Sequence, residues 1–159
     1  MQQTASPATP SAIDPVQAAK ALADDIKASR ETIERERKIP PRLLERMVEA
    51  DLFQLCMPRT VGGPQHHPLV AFEAEEALAR ADGSVGWCAS IASSVALVVG
   101  AWLEPAVVGD MFGNPPDARI AGSVRAEGTA TRTEGGYRVS GRWDFASGVE
   151  HANWMYCSC

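Results

Sequence analysis

The run GSVGWCASIASSVALVVGAWL, residues 83–103, holds no charged side chain. A run of this kind has two outcomes. It is long enough to cross a bilayer as a helix, or it is a helix enclosed by other helices in a globular domain. Glycine, serine and alanine make up much of it, so its apolarity is moderate and its side chains suit close helix packing. No cluster of Lys or Arg flanks it to set an orientation across a membrane. The reading is a core helix buried on all sides, with no membrane association.

The segments before it complete a helical half. Residues 1–12, MQQTASPATPSA, are too poor in apolar surface to order themselves and are expected to be a disordered tail. Asp14 offers an N-cap and Pro15 a first helical position. Val16, Ala19, Leu22, Ala23, Ile26 and Ile33 follow helical spacing to about Lys38. Pro40 and Pro41 break and restart the run, and Leu43, Leu44, Met47, Val48 and Leu52 mark a short amphipathic helix. Residues 57–67, MPRTVGGPQHH, read as a loop. A helix is expected from Pro68 to about Ala81, and a last one from Glu104-Pro105 to near Phe112.

Charge and cysteine usage exclude several partners. The net charge is -5, and the one cationic cluster (Arg35, Arg37, Lys38, Arg42) is interrupted by Glu34 and Glu36. That reads as a solvated helix face and argues against a nucleic-acid partner. Cys56, Cys88, Cys157 and Cys159 form no disulfide framework, and no secretory signal opens the chain, so reduced thiols and a cytoplasmic location are expected. Cys157 and Cys159 read as two strand residues on one face, His66 and His67 as exposed loop residues, and Glu73, Glu75 and Glu76 as a solvated helix face. No metal site is expected.

GNPPD, residues 113–117, changes the character of the chain. Beyond it Ile120, Gly122 and Val124, and then Tyr137, Val139 and Gly141, alternate with their neighbours in the strand pattern. Glu134-Gly135-Gly136 is a hairpin signal. The fold class expected is α+β: an all-α domain over 13–116, then four or so short antiparallel strands over 117–159. The last strand, Trp154 to Cys159, has no successor to close its edge, so the β-domain is expected to be incomplete.

The chemistry is concentrated in GYRVSGRWDFASG, residues 136–148. On strand periodicity Trp143, Phe145 and Ser147 share one face, with Arg142 and Asp144 on the other. Two aromatic rings and a hydroxyl on one face make either ordinary core or a wall for a flat conjugated cofactor.

Four stretches carry a family resemblance: LLERMVEADLFQLCMPRTVGG, EEALARADGSVGW, ARIAGSV and GGYRVSGRWDFASGVEHANW. Over roughly residues 40–159 the chain resembles the acyl-CoA dehydrogenase superfamily, and within it the oxygenase components of two-component, reduced-flavin-dependent aromatic monooxygenases. The resemblance implies that Phe145 and the Ser147 hydroxyl lie against the flavin, Ser147 at N5. It places Ser123 near the flavin and substrate pocket, with Trp143 and Gly148 shaping the same wall. It also implies reduced FMN or FAD delivered by a separate flavin reductase, oxygen addition at flavin C4a, and a small-molecule substrate. The alternative is an acyl-CoA dehydrogenase that holds FAD, uses a glutamate base and passes electrons to an electron-transfer flavoprotein. The run SIASSVALVVG lacks the histidine that some of these hydroxylases carry there, which leaves a phenolic substrate open. His151 reads as structural or peripheral to the flavin. By the resemblance the full-length form is a homo-oligomer, a tetramer, whose C-terminal bundle supplies the catalytic residues. A third reading is an inactive truncated product, and these residues alone are expected to bind flavin weakly or not at all.

Overall fold

The computed structural model describes residues 14–113 and 118–159. The expected tail over 1–12 and most of the GNPPD junction, including the domain boundary at 116–117, lie outside the described residues. Asp14 accepts hydrogen bonds from the Val16 and Gln17 amides at 2.9 and 3.4 Å and caps α1 (Pro15–Ala21). The single helix expected to Lys38 is divided into α1, α2 (Ala23–Ala28) and α3 (Arg30–Glu36). Leu22 and Ser29 at the joints keep right-handed helical angles, and the hydrogen bonds Ile26 N–H to Leu22 O and Ile33 N–H to Ser29 O, both 2.9 Å, carry the path across them. One apolar stripe therefore persists: Ala19, Leu22, Ile26 and Ile33 are all buried.

After α4 (Pro41–Glu49), residues 50–67 dip into the interior and bury Leu52, Phe53, Leu55 and Met57. The His67 ring Nδ1 then accepts from the Leu69 amide at 3.2 Å and caps α5 (Pro68–Ala81). Glu73 and Glu76 on α5 are exposed, and Glu76 pairs with Arg80 at 2.8 Å. Glu75 departs from the solvated-face reading: it is half-buried and hydrogen-bonds the Ser90 side chain. Burial raises its pKa above the ordinary carboxylate value, and the Ser90 bond opposes this in part.

Asp82 starts α6 (Gly83–Trp102) by accepting from the Ser84 and Val85 amides at 2.9 and 3.3 Å. Arg30 Nε donates to the Ala81 carbonyl at 2.8 Å, which ties α3 to the α5–α6 joint. The buried residues of α6 are Val85, Gly86, Ala89, Ala92, Ser93, Ala96, Val99 and Gly100, spaced at three and four along one seam. Gly86 lies against α5: a Cβ there would come within 2.6 Å of Ala79 Cα. Trp87, Leu97, Val98 and Trp102 on the other side are exposed. The expected burial on all sides is thus corrected to one buried face among the described residues. The seam is built of small residues, so a hydrophobicity pattern cannot tell it from its flanks. α6 is long and apolar enough to cross a membrane, but its seam against α5 and β1 is that of a core helix.

α7 (Pro105–Phe112) follows, and then β1 (Ile120–Ser123), β2 (Gly128–Thr133), β3 (Gly136–Gly141) and β4 (Trp154–Cys157). The helices-then-sheet order agrees with the α+β class. β2 and β3 form the expected antiparallel hairpin, with Gly135 at φ +78° in its turn. β1 and β4 pair in parallel, Ile120 opposite Trp154 and Ser123 opposite Cys157, which corrects the all-antiparallel expectation. Alternation reveals that a strand exists but not which way its partner runs. The helical core takes in the first half of α6, with Val85, Ala89 and Ala92. A second cluster joins Ala96 and Val99 to Met57, Val108, Phe112 and Ile120.

Two stability outcomes are expected from this packing. Gly86→Ala places a methyl group against immobile backbone and costs about 2 kcal/mol, measured as a lower denaturation midpoint at unchanged m-value. Glu75 has a folded-state pKa above its unfolded value, so its ionisation opposes folding once the pH passes upward through that interval. Glu75→Gln is expected to raise the melting temperature at pH 7 by about 1–3 °C. Wild type and variant converge below pH 4, where the acid is protonated in both states. Equal melting temperatures at pH 7 would show that Glu75 is solvated after all.

Candidate functional site

The site forms where the chain leaves regular structure. Beyond β3, residues 142–146 run without a strand partner, Ser147 and Gly148 make a turn, and Val149–His151 form one 3-10 turn. Phe145 adopts φ +62°, a left-handed conformation unusual for a bulky residue. That single residue breaks the alternation read from the sequence, so Trp143, Phe145 and Ser147 do not share a strand face. Trp143 turns away: its indole N–H donates to the Ser158 carbonyl at 2.8 Å, and its ring packs over Gly128, where a Cβ would come within 2.1 Å of Trp143 Cζ2. Arg142 and Asp144 form an exposed ion pair at 3.1 Å.

Phe145 and Ser147 line a cleft of about 470 Å³ with Ser123. One wall is the exposed face of α6, with Trp87, Ile91, Val95 and Val98; the other is formed by residues 122–125, Phe145, Ser147 and Tyr156. Ser123 is buried at the end of β1, and its Oγ accepts from the Arg125 amide at 3.3 Å. Gly122 lets β1 and β4 approach here, since a Cβ would lie 2.3 Å from the Tyr156 carbonyl oxygen. Phe145 is 77% exposed, and the Arg125 guanidinium stacks on its ring 4.9 Å from the centroid. Ser147 Oγ accepts a 3.0 Å hydrogen bond from Trp87 Nε1.

Gly148 lies on the far side of the same turn. At φ +83° it borders a second cavity of about 390 Å³, shared with Cys88 and His151. A Cβ on Gly148 would sit 3.2 Å from His151 Nε2. His151 stands between the Phe53 ring, 6.2 Å between centroids, and Arg119, whose Nε donates to the His151 carbonyl at 2.7 Å. Burial, and then the Arg119 charge, lower the His151 pKa below its ordinary value, with Glu150 opposing. Its Nδ1 is buried without a hydrogen-bond partner among the described residues. Burial also raises the Cys88 thiol, so it is a poor nucleophile.

Of the five residues singled out in the sequence, Ser123, Phe145 and Ser147 meet at one cleft, whereas Trp143 and Gly148 stand outside it. Sequence reasoning passed over Trp87 and Arg125. Trp87 carried a signal, as the one large polar-tipped ring in the first turns of a small-residue helix. Arg125 carried none, because its stacking depends on the conformation of Phe145. The cleft suits a flat, partly polar ring system: mostly apolar walls, the Ser123 and Ser147 hydroxyls, and one lining cation, Arg125, which pairs with Glu127 at 3.6 Å. No group of three or more His, Cys, Asp or Glu side chains fit for a metal occurs among the described residues.

Known proteins are similar to this chain in sequence and in fold. The chain is 34% identical over 118 residues to the oxygenase subunit HsaA, a flavin-dependent monooxygenase of Rhodococcus jostii (strain RHA1), covering 74% of this chain and 31% of that protein. It is 32% identical over 137 residues to the oxygenase component of the FADH(2)-dependent resorcinol hydroxylase of Rhizobium sp. (strain MTP-10005), covering 86% and 33%. The crystal structure of the HsaA monooxygenase from M. tuberculosis superposes with a TM-score of 0.81 at 29% identity, over 91% of this chain and 38% of that one. The chain thus spans about a third of the length of the curated relatives it matches. Residues 16–102 match the acyl-CoA dehydrogenase N-terminal domain, the α1–α6 unit that forms one wall of the cleft, and the chain belongs to the acyl-CoA dehydrogenase family.

Proposed function

We propose that this chain carries the helical domain and the first part of the β-domain of a flavin-dependent monooxygenase, an oxygenase component that works with reduced flavin. One observation carries the reading. Ser123 at the end of β1 and the Phe145–Ser147 stretch beyond β3 are separate segments, yet they meet in one mostly apolar cleft against α6. The relatives' names supply the direction: those above are oxygenase components of flavin-dependent monooxygenases. Flavin supplies the oxygen-activating chemistry when bound, since no side chain performs it. The protein's own part is placement and shielding. With flavin bound, Phe145 and the α6 wall would cover it from water. Ser147 would offer its hydroxyl to a bound flavin, Ser123 holds the adjoining backbone by accepting from the Arg125 amide, and Arg125 would supply the cation beside the cleft.

Reduced FAD is the first choice of cofactor, after the resorcinol hydroxylase, with reduced FMN the alternative. A separate flavin reductase is the partner that delivers it, and the substrate is a small aromatic molecule. The four cysteines are free, in keeping with the reducing cytoplasm. The domain match also suits a dehydrogenase, which differs in a measurable way: it holds oxidised FAD, and an acyl-CoA bleaches that flavin directly.

The test is anaerobic titration of the full-length protein with reduced FAD and FMN, followed by oxygen and an aromatic substrate. Ser147→Ala is expected to weaken reduced-flavin binding about tenfold and to divert oxygen to free hydrogen peroxide. Phe145→Gly is expected to raise the melting temperature slightly, because it relieves a left-handed phenylalanine worth about 1 kcal/mol, while weakening flavin binding. Bleaching of bound oxidised FAD by acyl-CoA, without a reductase, would overturn the oxygenase reading in favour of the dehydrogenase.

A further inference from the structure

A serine on a turn has three staggered rotamers and little to choose between them. Ser147 sits between the left-handed Phe145 and Gly148 at φ +83°, and its own amide is spent on the Phe145 carbonyl at 2.9 Å. A single side chain holds its hydroxyl: the Trp87 indole, 60 residues earlier in the chain, donates to Oγ at 3.0 Å. An indole N–H only donates, so it occupies one Oγ lone pair and leaves the hydroxyl one lone pair and its proton. Among the described residues no other protein group bonds to Oγ. The hydroxyl therefore faces the cleft able both to accept from an N–H and to donate to a bare nitrogen. Those are the two states of a flavin N5, reduced and oxidised.

Packing does not account for the tryptophan. Trp87 is 58% exposed and projects from the face of α6 opposite its buried seam. Its neighbour in sequence serves the other side of the same turn, since the Cys88 Cβ lies 3.9 Å from where a Gly148 Cβ would be. One turn of α6 thus grips the 147–148 turn from both cavities. We infer that Trp87 is the positioning residue of this site: its indole N–H fixes the Ser147 hydroxyl in the cleft where the ligand's ring nitrogen meets it. The inference rests on the flavin reading above for the identity of that ligand, and on the Trp87–Ser147 geometry for the rest.

The experiment is a double-mutant cycle on the full-length protein, with reduced FAD as the probe, together with the Trp87 indole N–H resonance of the ligand-free protein. Trp87→Phe is expected to weaken reduced FAD about fivefold and Ser147→Ala about tenfold, with the double variant no weaker than Ser147→Ala alone. Replacing Trp87 by benzothienylalanine, which keeps the bicyclic ring and removes the N–H, is expected to reproduce the Phe result at an unchanged melting temperature. The indole resonance is expected to shift and lose exchange protection in Ser147→Ala. Additive losses in the double variant, or wild-type affinity with benzothienylalanine, would reduce Trp87 to a packing contact and overturn the inference. Absence of reduced-flavin binding by the wild type, with the resonance still responding to Ser147→Ala, overturns the flavin reading alone. A resonance indifferent to Ser147→Ala overturns the role of Trp87 whatever the flavin does.

Discussion

The close approach of α6 to α5, with Gly86 against Ala79, sets where the rest of the chain goes. Helix backbones come this near only where side chains are absent or small. The seam from Val85 to Gly100 provides that along nearly the whole helix. Asp82 fixes the start of α6 by capping its amides, and Arg30 binds the preceding carbonyl from α3. With its start fixed and its seam engaged, α6 has one orientation. Its first half belongs to the helical core and its second half to the cluster that holds β1. The helix is the strut between the two halves of the chain, and its unburied face is left to form a cleft wall.

That division of one helix into two faces links stability to function. The buried face consists of alanines, glycines, a serine and two valines whose task is contact. The open face presents Trp87, Ile91, Val95 and Val98 to the cleft. The opposite wall is assembled differently, from irregular backbone. Phe145 sits in a left-handed conformation and Ser147 on a turn, both held by contacts from elsewhere: Arg125 stacks on the ring and Trp87 bonds the hydroxyl. Strain at such a place persists because the surroundings over-determine it. His151, whose pKa burial lowers, and the tightly spaced Gly148 pack behind this turn and support it from the second cavity.

Much of the helical half was legible. The proline and aspartate signals at Asp14, Pro41, Pro68, Asp82 and Pro105 mark helix starts that the structure also shows. The β half was legible as strands but not as a sheet. Period two in Ile120–Ser123 and a glycine turn at Gly135 foretell strands and a hairpin, whereas the parallel pairing of β1 with β4 depends on residues 124–153 returning the chain to the same side. The stretch RWDFASG was rightly the place to look, but its geometry was misread. Alternation holds only while φ stays negative and a partner strand enforces it; the pairing stops at Gly141 and the negative φ at Phe145.

What the sequence determined by itself is therefore local: where helices begin, where strands lie, and which segment holds the polar and aromatic side chains of the site. These follow from proline's missing N–H, aspartate's capping carboxylate and glycine's backbone freedom, all of which act within a few residues. The tertiary structure decided which of those side chains meet. Ser123 and Ser147 were brought to one cleft and Trp143 and Gly148 turned out of it. Trp87, inconspicuous in its own helix, became the partner of Ser147 across 60 residues. A hydrogen bond of that span is set by where α6 and the 147–148 turn are packed, and packing is a property of the whole chain, not of any stretch of it.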